Sequence, residues 1–279
     1  MIVNDAKNSP EVREIIIKWY KRIGFSERYD MEFYRALDEI EIPVDTSIDT
    51  YDEKSVEGKK NFLSLLYMCE ALSEGYAEKG IPDEILYETI KDIRIWTDLW
   101  SEIKGELFLG QVFWLKYHLT MKLFRIGRLQ FCHTMAGKAY PEHGIAETDG
   151  TLDVHIPADG RMDIDECLRS FAMAKEFYAK YYPEKQYTYF NCHSWLLDRT
   201  LKKYLPPDSN IIRFGDLFER ISDDVTDDLF RYIFRWDVKN RELLAAHTPA
   251  TRFGGVIKDA AMKGEEFHST LGIIMRDKV

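Results

Sequence analysis

The chain is poor in cysteine. Its 279 residues include only Cys69, Cys132, Cys167 and Cys192, and no two stand at Cys-x-x-Cys spacing. That pattern excludes a zinc ribbon, gives no disulfide framework, and fits a reduced, cytoplasmic protein. His-x-His and His-x-x-x-His spacings are also missing, so no metal is expected. Positive charge is in deficit: 38 Lys and Arg against 48 Asp and Glu leave a net charge of −10. Phosphate backbones demand a basic surface, so nucleic acid is not expected as a partner. The most basic stretch, Lys116, Lys122, Arg125 and Arg128, reads as solvated helix positions. Apolar runs are all cut by Lys, Arg or Asp well short of a membrane span, and MIVNDAKNSPEVREI carries no apolar signal core. Neither membrane insertion nor secretion is expected.

What is present suits a packed globule. The chain is 45% hydrophobic and 14% aromatic, with no low-complexity tract, and is long enough for one large domain or two ordinary ones. The first hundred residues read as helical. Ser9 and Pro10 form a cap followed by a first-turn proline, and Val12, Ile15, Ile16, Trp19, Tyr20 and Ile23 then share one face up to Gly24. A shorter helix is expected over about 31–40, then a loop from Pro43 to Asp52. A third helix is expected from about Val56 to Lys79. A fourth starts at Pro82, with Leu86, Ile90, Ile93, Trp96 and Trp100 on one face.

The texture changes near 101–110, which suggests a helical domain over 1–105 and a mixed one over 106–279. A helix is expected from about Gln111 to Phe124. RLQFCHTM (128–135), TLDVHIP (151–157), YTYFNC (187–192), DLFRYIFRW (228–236) and FHSTLGIIM (267–275) read as strands. Between them, 163–181 is a helix that opens on an Asp163-x-x-Glu166 capping box. Ile164, Leu168, Phe171 and Tyr178 share its face. Ser194 opens another helix through Tyr204, and about 250–263 is helical. Strands alternating with helices imply a partly parallel sheet covered by helices.

Three stretches carry a resemblance: WLKYHLTMKLFRIGRLQF (114–131), LDVHIPADG (152–160) and FNCHSWLLDRTLKKYLPPDSNIIRF (190–214). The sequence resembles a bacterial acyltransferase-domain family with an N-terminal helical N-acyltransferase domain and a GNAT-like C-terminal domain. The resemblance implies an α+β or α/β fold, with an all-helical part followed by a GNAT-like mixed sheet flanked by helices. It implies acyl-CoA or acetyl-CoA as co-substrate and a small-molecule acceptor such as an amine. In such folds a central strand splays from its neighbour, and the CoA pyrophosphate rests on backbone N–H groups before the next helix. Here that place is HIPADGRMDIDE, which makes Ile156, Gly160, Arg161 and Met162 the expected cofactor-binding residues. The loop departs from the family pattern Gln/Arg-x-x-Gly-x-Gly/Ala. It has the single glycine Gly160, and Asp163, Asp165 and Glu166 crowd the first helical turn.

His155 and His193 are the candidate bases, because an imidazole titrates near neutrality: His155 shares a face of the strand LDVHIP with Asp153, where the resemblance implies a base near the middle of the sheet, and His193 lies at the end of the third strand. Alternatively, they are a half-buried strand histidine and a loop residue. Tyr189 is the candidate acid for a leaving thiolate, or else a core aromatic. Ser194 lacks the flanking glycines of a nucleophile elbow and reads as a helix cap, and Cys192 reads as a buried thiol. Tyr232 is a weaker candidate. The expected activity is acyl transfer from acyl-CoA to an amine or other small acceptor. The alternatives are a non-catalytic ligand- or partner-binding protein and, last, a hydrolase using Cys192 or Ser194.

Overall fold

The computed structural model describes residues 7–44 and 57–279. Residues 45–52 of the expected loop, and the expected helix start at Val56, lie outside them. The chain forms two compact units, Met1–Arg125 and Ile126–Val279.

The first unit is helical until its last residues. Helix α1 (Pro10–Ile23) begins as its sequence dictates: the Ser9 hydroxyl accepts the Val12 N–H, and proline fills the first turn. Helices α2 (Asp30–Glu39), α3 (Gly58–Glu78), α4 (Asp83–Lys104) and α5 (Val112–Leu119) follow. Trp19, Phe33, Phe62, Leu66, Ile90 and Ile93 are sealed from solvent. Tyr20 stacks on Phe33 at 3.8 Å between ring centroids, and Phe62 meets both edge-on.

Helix α5 stops sooner than periodicity suggests. Thr120 caps it, and Met121 takes a left-handed φ of 53°. The chain then enters strand β1 (Leu123–Ile126). All four β1 residues are buried, so no alternation marks them as a strand. A two-residue turn, Gly127–Arg128, leads into β2 (Leu129–Met135). Gly127 has φ +69°, and a Cβ there would stand 2.6 Å from the Ser170 hydroxyl, so both the hairpin turn and the packing require glycine. Arg125 and Arg128 are only 8% and 9% exposed, so half of the basic stretch is not a solvated face.

The remaining elements are β3 (Gly150–His155), α6 (Ile164–Tyr181), β4 (Tyr189–Ser194), α7 (Asn210–Gly215), β5 (Glu219–Val225), α8 (Leu229–Ile233), α9 (Arg241–Ala246), α10 (Arg252–Met262) and β6 (His268–Met275). The sheet order is β1-β2-β3-β4-β6-β5. β3 and β4 pair in parallel, and β2–β3, β4–β6 and β5–β6 are antiparallel. The expected mixed sheet flanked by helices is therefore present.

Three readings need correction. DLFRYIFRW is not a strand: it holds α8, whose Leu229 and Phe230 enter a core with Leu244, Ile257 and Phe267. Its aromatic density imitates strand composition, but the spacing of Phe230, Ile233 and Phe234 is helical. The strand of this region is ERISDDV, which is mostly exposed and carries a register shift between Arg220 and Ser222. Its alternation is broken there, so periodicity could not reveal it. The run after Ser194 forms two short 3₁₀ turns, Trp195–Leu197 and Arg199–Lys203, capped by Ser194 and Asp198. In α6 the buried face is Ile164, Cys167, Phe171, Ala174 and Tyr178, while Leu168 is exposed. Phe171 meets Phe131 and Phe190 edge-on, which seats α6 on one face of the sheet.

Candidate functional site

The opposite face of the sheet carries the polar side chains. Strand residues alternate between faces, and register partners share a face. Thr151 pairs with Tyr189 and Asp153 with Asn191 across the parallel ladder, and Thr134, Cys132 and Gln130 face Thr151, Asp153 and His155 across the antiparallel one. Thr134 donates to an Asp153 carboxylate oxygen at 2.8 Å, and Thr151 donates to the Asn191 side-chain oxygen at 2.9 Å. Burial pushes the Asp153 carboxyl above the ordinary carboxylate range, and the Thr134 and Asn191 hydrogen bonds hold it down in part. The sequence sets Asp153 two residues before His155, on the same strand face, without showing its partners. Its position is visible only once the register brings Thr134 and Asn191 to it.

The parallel ladder is short. It runs from Thr151–Tyr189 through Leu152–Phe190 to Asp153–Asn191 and then ends. Both strands continue, but only with their outer neighbours. β3 stays paired to β2 as far as His155–Gln130, and β4 stays paired to β6 as far as Ser194–Thr270. Had the ladder continued, the second further rung would have set His155 opposite His193, on the face of Asp153 and Asn191. Beyond Asp153–Asn191 the two inner strand edges are no longer ladder partners.

The two candidate bases therefore lie on the same sheet face, each two residues past the last parallel rung. His155 is half-buried. His193 is exposed, with Nε2 at 3.4 Å from an Asp224 carboxylate oxygen. Tyr189 is not brought to them. It stands four residues back along β4, buried with Ile145 and Ile273, and burial raises its hydroxyl above the usual phenol range. Cys192 points to the other face, 1% exposed, and burial raises its thiol. Ser194 accepts the Leu196 N–H at 3.2 Å, which makes it a cap. Tyr232 sits on α8, where its exposed ring stacks near Trp195.

The expected cofactor loop follows β3. Ile156, Gly160, Arg161 and Met162 lie between the end of β3 and α6. The Asp163 carboxylate accepts the N–H groups of Asp165 and Glu166, as its capping box predicts. Gly160 has φ +77°, with open space where a Cβ would lie, so its need is conformational. Arg128 reaches this loop from the β1–β2 turn and donates to the carbonyls of Arg161 at 2.9 Å and Pro157 at 3.1 Å. A parted parallel strand pair beside a loop that precedes an 18-residue helix fits an elongated ligand with a charged end. Among the described residues no cluster of His, Cys, Asp or Glu could hold a metal ion, and no helix is long and apolar enough to cross a membrane.

Residues 123–274 match the GNAT-like C-terminal domain, and residues 4–121 match the N-acyltransferase N-terminal domain. The chain belongs to the acyltransferase family that joins these two domains. The solved structures it resembles agree in fold. A mutant acyltransferase in complex with octanoyl-CoA superposes with a TM-score of 0.77 at 19% identity, over 96% of this chain and 88% of that one. An acyltransferase in complex with CoA and 10C-teicoplanin gives 0.76 at 19% identity, over 97% and 89%. One in complex with decanoyl-CoA and teicoplanin gives 0.74 at 19% identity, over 98% and 90%. No curated protein matches the chain by sequence.

Proposed function

We propose that this GNAT-like protein transfers an acyl group from acyl-CoA to an amine or other nucleophilic group of a small-molecule acceptor. One observation carries the reading: the β3–β4 ladder ends after Asp153–Asn191, two residues before His155 and His193. A pantetheine arm laid beyond that last rung would hydrogen-bond to the strand backbone, and a strand N–H would polarise the thioester carbonyl. His155 or His193 would take the proton as the acceptor nitrogen attacks, a role that suits an imidazole near neutral pH. The thiolate of CoA leaves, and a nearby acid returns a proton to it. Tyr189 is poorly placed for that task, since three residues of strand separate it from His193. The loop holding Ile156, Gly160, Arg161 and Met162 would receive the CoA pyrophosphate. Support for a small acceptor comes from the similar acyltransferases bound to teicoplanin or a teicoplanin derivative together with CoA or decanoyl-CoA.

The experiment is a thermal-shift titration with CoA, acetyl-CoA and medium-chain acyl-CoAs. Binding to the folded state raises its stability by about 2.7 kcal/mol at a hundredfold excess over Kd. No shift at millimolar ligand rejects the reading. One observation favours a non-catalytic ligand-binding protein: Asp163 already occupies two first-turn donors of α6. A shift with acyl-CoA, without thiol release in the presence of any primary-amine acceptor, would decide for it.

A further inference from the structure

On the acyl-CoA reading, the β3–α6 loop would hold an anion with the single glycine Gly160 and without the Asp165 and Glu166 N–H groups, which Asp163 has taken. Arg128 supplies a different solution. It is 9% exposed, and its guanidinium lies behind the loop. Nε donates to the Arg161 carbonyl at 2.9 Å, and Nη2 donates to the carbonyls of Pro157 at 3.1 Å and Gly160 at 3.4 Å. Three carbonyls of one short loop thus turn towards a single side chain. A trans peptide is planar, with its C=O and the following N–H on opposite sides. No described peptide is cis. The N–H groups of Ala158, Arg161 and Met162 therefore point away from Arg128, and none of them donates to an acceptor among the described residues. The exposed Arg161 side chain stands on the same loop. Arg128 is also tied to α6: its N–H donates to the Ser170 hydroxyl, which donates to the Glu166 carbonyl.

We propose that Arg128 is a positioning residue, which turns the loop inside out so that the N–H groups of Ala158, Arg161 and Met162 form a cradle for the pyrophosphate of acyl-CoA. The proposal rests on the acyl-CoA reading above. The buried guanidinium does by side-chain hydrogen bonding what a second glycine does elsewhere by backbone freedom, and it brings a positive charge behind the cradle. Its planar fork reaches several carbonyls at once, which a lysine ammonium does not match.

The test compares two ligands, an S-decyl-CoA thioether and the S-decyl-pantetheine thioether that lacks the pyrophosphate. Binding is measured by calorimetry for the wild-type protein and for Arg128→Met and Arg128→Lys. Arg128→Met should weaken S-decyl-CoA roughly ten- to hundredfold, the usual scale for losing charged hydrogen-bond support. It should change S-decyl-pantetheine by less than about twofold, within the effect of a substitution remote from the ligand. Arg128→Lys should lie between, again for the CoA ligand alone. S-decyl-CoA should protect the amides of Ala158, Arg161 and Met162 from hydrogen exchange in the wild type and not in Arg128→Met. Unchanged affinity for S-decyl-CoA, or equal losses for both ligands, would overturn the proposal. If Arg128→Met does not fold, Arg128→Lys decides by the same comparison. A wild-type protein that binds neither ligand overturns the acyl-CoA reading itself. One that binds both, with variants that also bind both as tightly, overturns only the role of Arg128.

Discussion

Each unit contains a histidine beside a carboxylate. In the helical unit, His118 Nε2 lies 2.8 Å from Asp92, whose side chain also accepts the Trp114 indole N–H at 3.0 Å. His118 is wholly buried, and Asp92 is 3% exposed. In the sheet unit, His193 lies 3.4 Å from Asp224, and both side chains are more than half exposed. The first pair has the shorter contact and looks more like a catalytic dyad. Yet α4 and α5 enclose it, and an indole takes the same carboxylate, so its chemistry is spent on holding two helices together. The second pair is looser, but it stands where two parallel strands part. The proposed site therefore rests on access and on the end of a hydrogen-bond ladder rather than on proximity.

That contrast can be broken by substitution. If the opening between β3 and β4 is the site, replacing its base should cut turnover about a hundred- to ten-thousandfold. Steady-state rates of His155→Ala and His193→Ala, measured beside their melting temperatures, identify which imidazole serves. Full activity in both variants sinks the assignment. In the helical unit the loss should fall on stability. Asp92→Ala strands a buried histidine and an indole donor, at a cost of about 3–5 kcal/mol in urea unfolding. If that variant is as stable as the wild type, the pair is not what joins α4 to α5.

Smaller effects sharpen the comparison. Asp163→Ala removes a helix cap and should cost about 1 kcal/mol. It also releases the Asp165 and Glu166 N–H groups and removes a negative charge, so CoA binding should tighten even as stability falls. Calorimetry showing weaker binding would contradict the arrangement drawn here. Asp153 gives a pH signature. Its carboxyl is raised in the folded protein, so folding takes up a proton just above the ordinary carboxylate range. Stability should therefore fall as pH rises from the unfolded-state pKa through the raised folded one. Asp153→Asn should flatten that part of the profile, and an unchanged slope would assign it to another group. Asp224→Asn, at an exposed pair, should change stability by less than about 1 kcal/mol.

Much of this was legible in the sequence. Ser9, Asp163 and Ser194 announced their caps, and the strands around Phe131, Val154, Phe190 and Ile273 followed from alternation. The two strands that escaped did so for opposite reasons. β1 is buried on both sides and shows no period, whereas β5 is exposed and kinked and shows no apolar face. The histidines were visible as residue types at strand ends. That the register sets both on one sheet face, past the last β3–β4 rung, was not visible, because register is a relation between distant segments. Arg128 was misread for the same reason: its partners are the carbonyls of residues about thirty positions away.

The kink in β5 has a consequence outside the active region. This strand borders the sheet, and a bordering strand offers a row of unpaired main-chain groups on which a second chain could extend the sheet into an aggregate. Glu219, Asp223 and Asp224 place three carboxylates among its seven residues, and the register shift at Arg220–Ser222 bends the edge. An incoming identical strand would have to bring like charges together along a template that is not straight. The polar sequence that hid β5 from periodicity thus also protects the protein from pairing with itself.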